Sequence, residues 1–186
     1  MGHRFNPKHV ERLLNEERQK LLPPETILER LGVEPSHVVA DIGCGPGYFS
    51  LPLAQMSRAV YGVDVSAEML DLLARRAAEA GVCNVESIQA AAEHIPLPDA
   101  SVDRMLCAFV LHEVDDLKQT LAEFNRLLKP EGRLMVIEWE KKSMDMGPPV
   151  SERIDMAELT SLVEDAGFHT KCWQPNPYHY IILARR

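Results

Sequence analysis

The amino-acid sequence predicts an α/β fold: a three-layer α/β/α sandwich on a seven-stranded, mostly parallel sheet with an antiparallel last strand. Strand-like and helix-like stretches alternate through most of the 186 residues, the pattern left when crossover helices connect parallel strands. Near the start of that alternation a short apolar run breaks off in a turn with three glycines, Gly43, Gly45 and Gly47. The chain closes on two strand-like segments around Gln174-Pro175-Asn176-Pro177, a turn-forming sequence that calls for an antiparallel hairpin.

The first strand is expected over residues 37–42, and a helix over 48–57 follows the glycine turn; Pro52 must kink this helix or sit in its first turn. A second strand over 59–63 ends at Asp64. Ser66 is a suitable N-cap for a helix running to Ala80, with Gly81 as its stop. A third strand over 85–89 leads into the loop Glu93-His94-Ile95-Pro96-Leu97-Pro98-Asp99, and a fourth, 104–110, is apolar on both faces and so belongs in the sheet centre. Leu117, Leu121, Phe124 and Leu128 recur at helical spacing until Lys129-Pro130-Glu131-Gly132 ends the helix before a fifth strand over 133–139. Residues 141–150 read as a loop, 155–166 as a helix stopped by Gly167, and 168–173 and 178–184 as the closing strands. Residues 1–31, rich in charge of both signs, form a helical preamble that is either a solvated helix packed outside the sheet or a lid over the active site.

A chain of this length fills one compact domain and is too short for two of ordinary size, so residues 1–186 are expected to form a single domain. No apolar run approaches the ~20 residues of a membrane span, and the opening MGHRFNPKHVERLL has no continuous apolar core for a secretion signal. A cytoplasmic protein with no membrane partner is expected. Twenty basic against twenty-eight acidic residues give a formal charge of -8, which disfavours a nucleic-acid partner because phosphate contacts need cations. Cys44, Cys83, Cys107 and Cys172 stand singly, without the paired spacing of a zinc site or redox dithiol. Glu93, His94 and Asp99 are separated by prolines and match no metal-ligand spacing, so no metal is assigned.

The strongest local signal is Asp41-Ile42-Gly43-Cys44-Gly45-Pro46-Gly47 between a strand and a helix, followed by Asp64 at the end of the next strand. Glycines at alternate positions let main chain turn tightly and approach a ligand closely, where a Cβ would occupy ligand volume. A carboxylate about twenty residues on can accept from both hydroxyls of a ribose. A dinucleotide fingerprint would need glycine where this chain has Tyr48, and there is no Tyr-x-x-x-Lys pair, which counts against a nicotinamide-dependent oxidoreductase.

These residues resemble the class I S-adenosylmethionine-dependent methyltransferases, within the broad group that includes the ubiquinone/menaquinone-biosynthesis enzymes. The resemblance covers roughly residues 24–184. It rests on four segments in the family's order: Val39 to Gly47; Gly62-Val63-Asp64-Val65-Ser66 with Met69; Ala92 to Asp103; and Arg126 to Leu134. It implies a Rossmann-like fold with S-adenosylmethionine as cofactor and a small-molecule methyl acceptor. Asp41, Gly43, Cys44, Gly45 and Gly47 would cradle the methionine portion and ribose, Asp64 would bind the ribose hydroxyls, and Val65 and Met69 would sandwich the adenine. Ala92 would offer main-chain groups to the adenine edge. The family often has Gly-Asp where this chain has Ala90-Ala91; Glu93 would replace the missing carboxylate, or the bond is absent. Ala108 and Phe109 would line the sulfonium pocket.

A sulfonium methyl is already activated, so the protein chiefly has to align the acceptor and exclude water. A general base helps where the acceptor carries a proton, and candidates must lie beyond the carboxyl ends of the strands. His112 and Glu113, Glu138 and Trp139, and Tyr178 or His179 qualify, with His112 first; His112, Trp139 and Tyr178 are the expected acceptor-binding residues. A protein of this fold that binds S-adenosylmethionine without transferring its methyl group is the alternative.

Overall fold

The computed structural model describes residue 14 and residues 16–186. It shows one seven-stranded sheet in the order β3-β2-β1-β4-β5-β7-β6, formed by β1 (Val38–Ile42), β2 (Ala59–Asp64), β3 (Val85–Gln89), β4 (Val102–Ala108), β5 (Leu128–Trp139), β6 (His169–Asn176) and β7 (His179–Arg185). The first five strands pair in parallel, and β7 enters between β5 and β6 antiparallel to both. The helices are α1 (Glu16–Leu21), α2 (Pro24–Leu31), α3 (Ser50–Met56), α4 (Ala67–Glu79), α5 (Leu117–Leu127) and α6 (Met156–Asp165).

Side chains alternate across the central strands, and both faces are dry. Met105 and Cys107 of β4, Leu134 and Val136 of β5, and Tyr180 and Ile182 of β7 join one core with Phe124 of α5 and Leu159 of α6. Their neighbours Leu106, Met135, Ile137 and Ile181 point the other way and pack with Leu28 and Leu31 of α2 and Leu53 of α3. Continuous apolar runs in the sequence are therefore what a sheet covered on both sides requires.

Local signals set the boundaries. Ser66 accepts from Met69 N as the N-cap of α4, and Asp116 and Asp155 cap α5 and α6 in the same way. Pro52 falls in the first turn of α3, where its missing N–H costs nothing.

Three expected boundaries need correction. The fourth strand spans Val102–Ala108 rather than 104–110, because Phe109 adopts φ 64° and breaks the extended run. Residues 129–132 do not separate helix from strand: Leu128 already pairs with Val102, and the register shifts before Arg104 meets Arg133, so the turn is a bulge within β5. The closing hairpin is tighter than expected. β6 continues through Gln174 and Pro175 past a bulge, Asn176 faces His179, and the turn is Pro177-Tyr178. The described part of the preamble is helical, forming α1 and α2; its residues 1–13 and 15 lie outside the described residues. Among the described residues, no helix is long and apolar enough to cross a membrane.

Arg126 organises the loop between β3 and β4. It donates to both oxygens of Glu123, to Asp99 Oδ1 at 2.6 Å, and to the carbonyls of Leu97 and Ile95. Glu123 is buried and also accepts from Ile95 N at 2.7 Å. The Ile95-to-Asp99 stretch is thus clamped onto α5. Arg126→Met leaves the Glu123 carboxylate buried beside apolar atoms, and urea denaturation is expected to show a loss of about 2 kcal/mol. Adding Glu123→Gln to that variant should recover part of the loss.

Candidate active site

The strand order reverses direction between β1 and β4, and ligands of open α/β sheets bind at the carboxyl ends of the strands beside such a switch point. The glycine turn lies there. Gly43 N and Cys44 N both donate to Val63 O, at 2.8 and 3.0 Å, which pins the turn to the end of β2. Asp64 completes the attachment: its Oδ2 accepts from Gly45 N and its Oδ1 from Ser66 N, each at 2.9 Å.

Glycine at two of these positions has a cause within the fold itself. Gly43 has φ 66°, and a Cβ there would stand 2.1 Å from Val110 Cγ2; Gly47 has φ 86°, and a Cβ there would stand 2.4 Å from Leu73 Cδ1. The left-handed backbone and a neighbouring protein side chain disfavour a larger residue at both. Burial pushes the Cys44 thiol well above its usual range, so it stays a neutral packing group.

The turn opens onto a cavity of about 1090 Å³. Asp41, Gly43, Cys44, Gly45 and Asp64 line one end, and Val65, Met69, Ala92 and Glu93 line the adjoining wall. Met69 and Ala92 are buried, whereas Val65 is 40% exposed, one of two large exposed apolar residues among those described. Glu93 Oε1 accepts from Asp115 N at 2.9 Å and Asp116 N at 3.5 Å, so one of its oxygens already serves the chain ahead of α5.

Ala108, Phe109, His112 and Trp139 line the other end. Gly47 and Tyr178 are absent from the lining: Gly47 backs onto Leu73, and Tyr178 lies in the hairpin turn, whereas His179, the first residue of β7, lines the cavity. Phe109, Trp139 and His179 form a mutual ring cluster, with centroids 4.9, 4.5 and 5.1 Å apart. The left-handed φ of Phe109 is a strained conformation at the cavity wall.

Beneath this wall lies a buried acid–imidazole pair. His112 Nδ1 is 3.0 and 2.9 Å from the two oxygens of Glu138, and the side chains are 4% and 1% exposed. Glu113 Oε1 stands 3.7 Å from the opposite nitrogen. Burial opposes charge on His112, but the Glu138 carboxylate outweighs it and raises the pKa above the ordinary imidazole value. His179 behaves oppositely: burial, with Arg18 and Arg153 nearby, lowers its pKa to about 4, so the ring is neutral at pH 7. Burial also lifts Asp41 to about 7, against a 2.5 Å hydrogen bond from Ser50 Oγ.

Two arginines, and the contact of the 141–150 loop with the cavity, escaped the sequence analysis. Arg18 of α1 lines the cavity with its guanidinium over the rings of Tyr48, at 4.7 Å, and Phe109, at 5.1 Å. Burial pulls its pKa to about 10. Arg153, 3% exposed, donates to the carbonyls of Pro148, Glu140, Lys142 and Met146, fastening the 140–148 segment. Gly147 of that segment lies against Trp139, where a Cβ would come within 2.8 Å of the indole. Residues 145–149 thereby cover the aromatic end of the cavity. Neither arginine is marked by a motif: Arg153 binds carbonyls of the irregular segment just before it, and the Tyr48 and Phe109 rings beside Arg18 lie far along the chain.

A seven-stranded sheet in this order, with a carboxylate-braced glycine turn after β1, has the architecture of class I S-adenosylmethionine-dependent methyltransferases. The chain belongs to the methyltransferase domain family, whose model matches residues 40–136. It is 34% identical over 139 residues to the ubiquinone/menaquinone biosynthesis C-methyltransferase UbiE of Hahella chejuensis, covering 73% of this chain and 55% of that protein. It is 35% identical over 102 residues to the uncharacterized methyltransferase YcgJ of Bacillus subtilis, covering 55% of this chain and 40% of that one. The chain thus spans about half the length of the curated relatives it matches. A crystal structure of a SAM-dependent methyltransferase from Aquifex aeolicus superposes with a TM-score of 0.91 at 31% identity, covering 98% of this chain and 99% of that one. The [4+2]-cyclase SpnF shares the fold alone, at 21% identity and a TM-score of 0.78, over 89% of this chain and 80% of that one.

The folded pKa of His179 lies below its unfolded value near 6.5. Its contribution to stability is therefore complete above pH 6.5 and is lost as pH falls through about 4. His179→Phe keeps an aromatic ring and removes the titration. Chemical denaturation at a series of pH values should show wild type losing on the order of 3 kcal/mol more than this variant across that window.

Proposed function

We propose that the chain is an S-adenosylmethionine-dependent methyltransferase that acts on a small, flat, ring-containing acceptor of the hydroxylated quinol type. The observation that carries this reading is a single cavity with a braced glycine turn and the Asp64 carboxylate at one end and three mutually packed rings at the other. The residues suit the cofactor. Asp64 offers carboxylate lone pairs beyond the two amides it already holds, Val65 and Met69 present apolar surface for a purine, and Gly43 to Gly45 bring bare main chain to the wall. Ala92 supports the purine edge with main-chain groups, and Glu93 offers its second oxygen there.

When bound, the cofactor supplies an electrophilic methyl group on a sulfonium. The chain's own residues do the rest. Ala108 and Phe109 flank the centre of the cavity; Phe109, Trp139 and His179 hold a ring by its face; and the 145–149 cover, tied down by Arg153, excludes water. His112 lines the cavity beneath these rings with Nδ1 fixed by Glu138, the arrangement of a proton acceptor with an orienting carboxylate. It accepts the hydroxyl proton of an acceptor that must ionise. The names of the relatives, ubiquinone/menaquinone biosynthesis and demethylmenaquinone methyltransferases, favour an aromatic ring carbon as the methylated atom.

Isothermal titration should detect binding of both S-adenosylmethionine and S-adenosylhomocysteine. Asp64→Ala should weaken both about 10- to 100-fold. Unchanged affinity in that variant would remove the basis of the assignment. Incubation with S-adenosylmethionine and a short-chain demethylated benzoquinol or naphthoquinol should give a product heavier by one methylene, read by mass spectrometry. Ligand binding without methylation of quinols, catechols or amines would leave a binding protein of the same fold.

A further inference from the structure

Two imidazoles line the ring end of the cavity, His112 and His179, and their surroundings give them opposite characters. Glu138 makes His112 the stronger base, whereas burial, with Arg18 and Arg153 nearby, makes His179 the weaker. Titratable groups pushed apart in this way take different roles on one ligand.

Hydrogen bonding fixes which nitrogen of His179 carries the proton. Asn176 Nδ2 donates to Leu21 O at 2.8 Å, and Asn176 Oδ1 accepts from the main-chain N–H groups of Tyr178 and His179 at 2.9 and 3.1 Å. A carbonyl can only accept and an amide N–H can only donate, so the Asn176 side chain has one possible orientation. Its Oδ1 also lies 3.0 Å from His179 Nδ1, which must then be the donor. In a neutral ring the proton on Nδ1 leaves a lone pair on Nε2. That nitrogen has no hydrogen-bond partner among the described residues, although His179 is 3% exposed. With Nδ1 turned to the hairpin, Nε2 on the far edge of the ring is the polar atom that this residue offers to the cavity.

We propose that His179 Nε2 accepts a hydrogen bond from a second hydroxyl of the acceptor, so that the site selects rings hydroxylated at two positions. The inference rests on the acceptor reading above. One hydroxyl gives its proton to His112; the other keeps its proton, because His179 is too weak a base to take it. An ammonium donor is disfavoured at Nε2, since the burial and the two arginines that keep the imidazole neutral oppose any added cation there. Phe109 and Trp139 pack against the ring, which keeps the lone pair where Asn176 sets it. Without a second hydroxyl the buried lone pair goes unpaired, and that cost rejects a singly hydroxylated ring.

Two measurements on the full chain test this. In the first, a nitrogen-15 spectrum of histidine-labelled protein at pH 7 should show His179 neutral with its proton on Nδ1, the signals being assigned by their loss in His179→Gln. A proton on Nε2 overturns the proposal without any ligand. In the second, anaerobic titration in the presence of S-adenosylhomocysteine compares 1,4-dihydroxynaphthalene with 1-naphthol, which lacks the second hydroxyl. Wild type should bind the dihydroxylated ring about 10- to 100-fold more tightly. His179→Phe, which keeps a ring and removes the lone pair, should lose that preference, and His179→Gln, whose amide oxygen can still accept, should retain part of it. Equal or weaker binding of the dihydroxylated ring by wild type overturns the proposal. So does a preference that survives undiminished in His179→Phe, since a purely structural role moves both rings together. Should that variant fail to fold, the tautomer and the wild-type preference still decide. If neither ring binds, the acceptor reading falls and this inference with it; a chain that does not bind S-adenosylhomocysteine overturns the cofactor reading as well.

Discussion

The site depends on one carboxylate used twice by main chain. Asp64 accepts from Gly45 N on one oxygen and from Ser66 N on the other, so the turn after β1 and the start of α4 are joined through a single side chain at the end of β2. Charge-assisted bonds of this kind are stronger than neutral ones, and they act where three elements would otherwise meet through flexible loop. The two amides bonded to Val63 O complete the attachment. Glycine at positions 43 and 47 suits their left-handed backbone and the closeness of Val110 and Leu73.

Around that frame the two ends of the cavity solve different problems. At the carboxylate end, buried Asp41 is lifted toward neutrality by desolvation, with Ser50 sharing its proton bond; a ligand cation there would restore its charge. At the ring end each imidazole has a fixed partner. Glu138 is occupied by His112, and His179 is held against Asn176 Oδ1 at 3.0 Å. What faces the cavity is largely apolar ring surface, which accommodates a flat molecule by contact area rather than by charge.

Much of this was legible in the sequence because it is local. The glycine turn, the acidic end of the second strand, the caps at Ser66 and Asp116 and the closing hairpin each announce themselves within a few residues. The strand limits were less legible. Phe109 ends β4 through an unfavourable backbone conformation that its side chain does not advertise, and the bulge at residues 129–132 resembles an ordinary turn in one dimension. His179, Arg18 and Arg153 were hardest. The roles of these three are set by where the last strand begins, by rings far along the chain, or by carbonyls of an irregular loop, and none of these leaves a periodic signal. Tyr178, expected to start the last strand, lies in the turn before it, and His179 is the neighbour that lines the cavity.

The placement of β7 between β5 and β6 has a consequence for biosynthesis. Strands β1 to β5 can pair as they emerge from the ribosome, but the outer edge of β5 stays bare until residues up to 185 have been made. During that interval its unpaired amides and carbonyls offer a template to any extended segment, of this chain or another. Nascent protein is therefore most prone to mispairing just before the hairpin inserts, and a chaperone that shields one sheet edge would protect it at that stage.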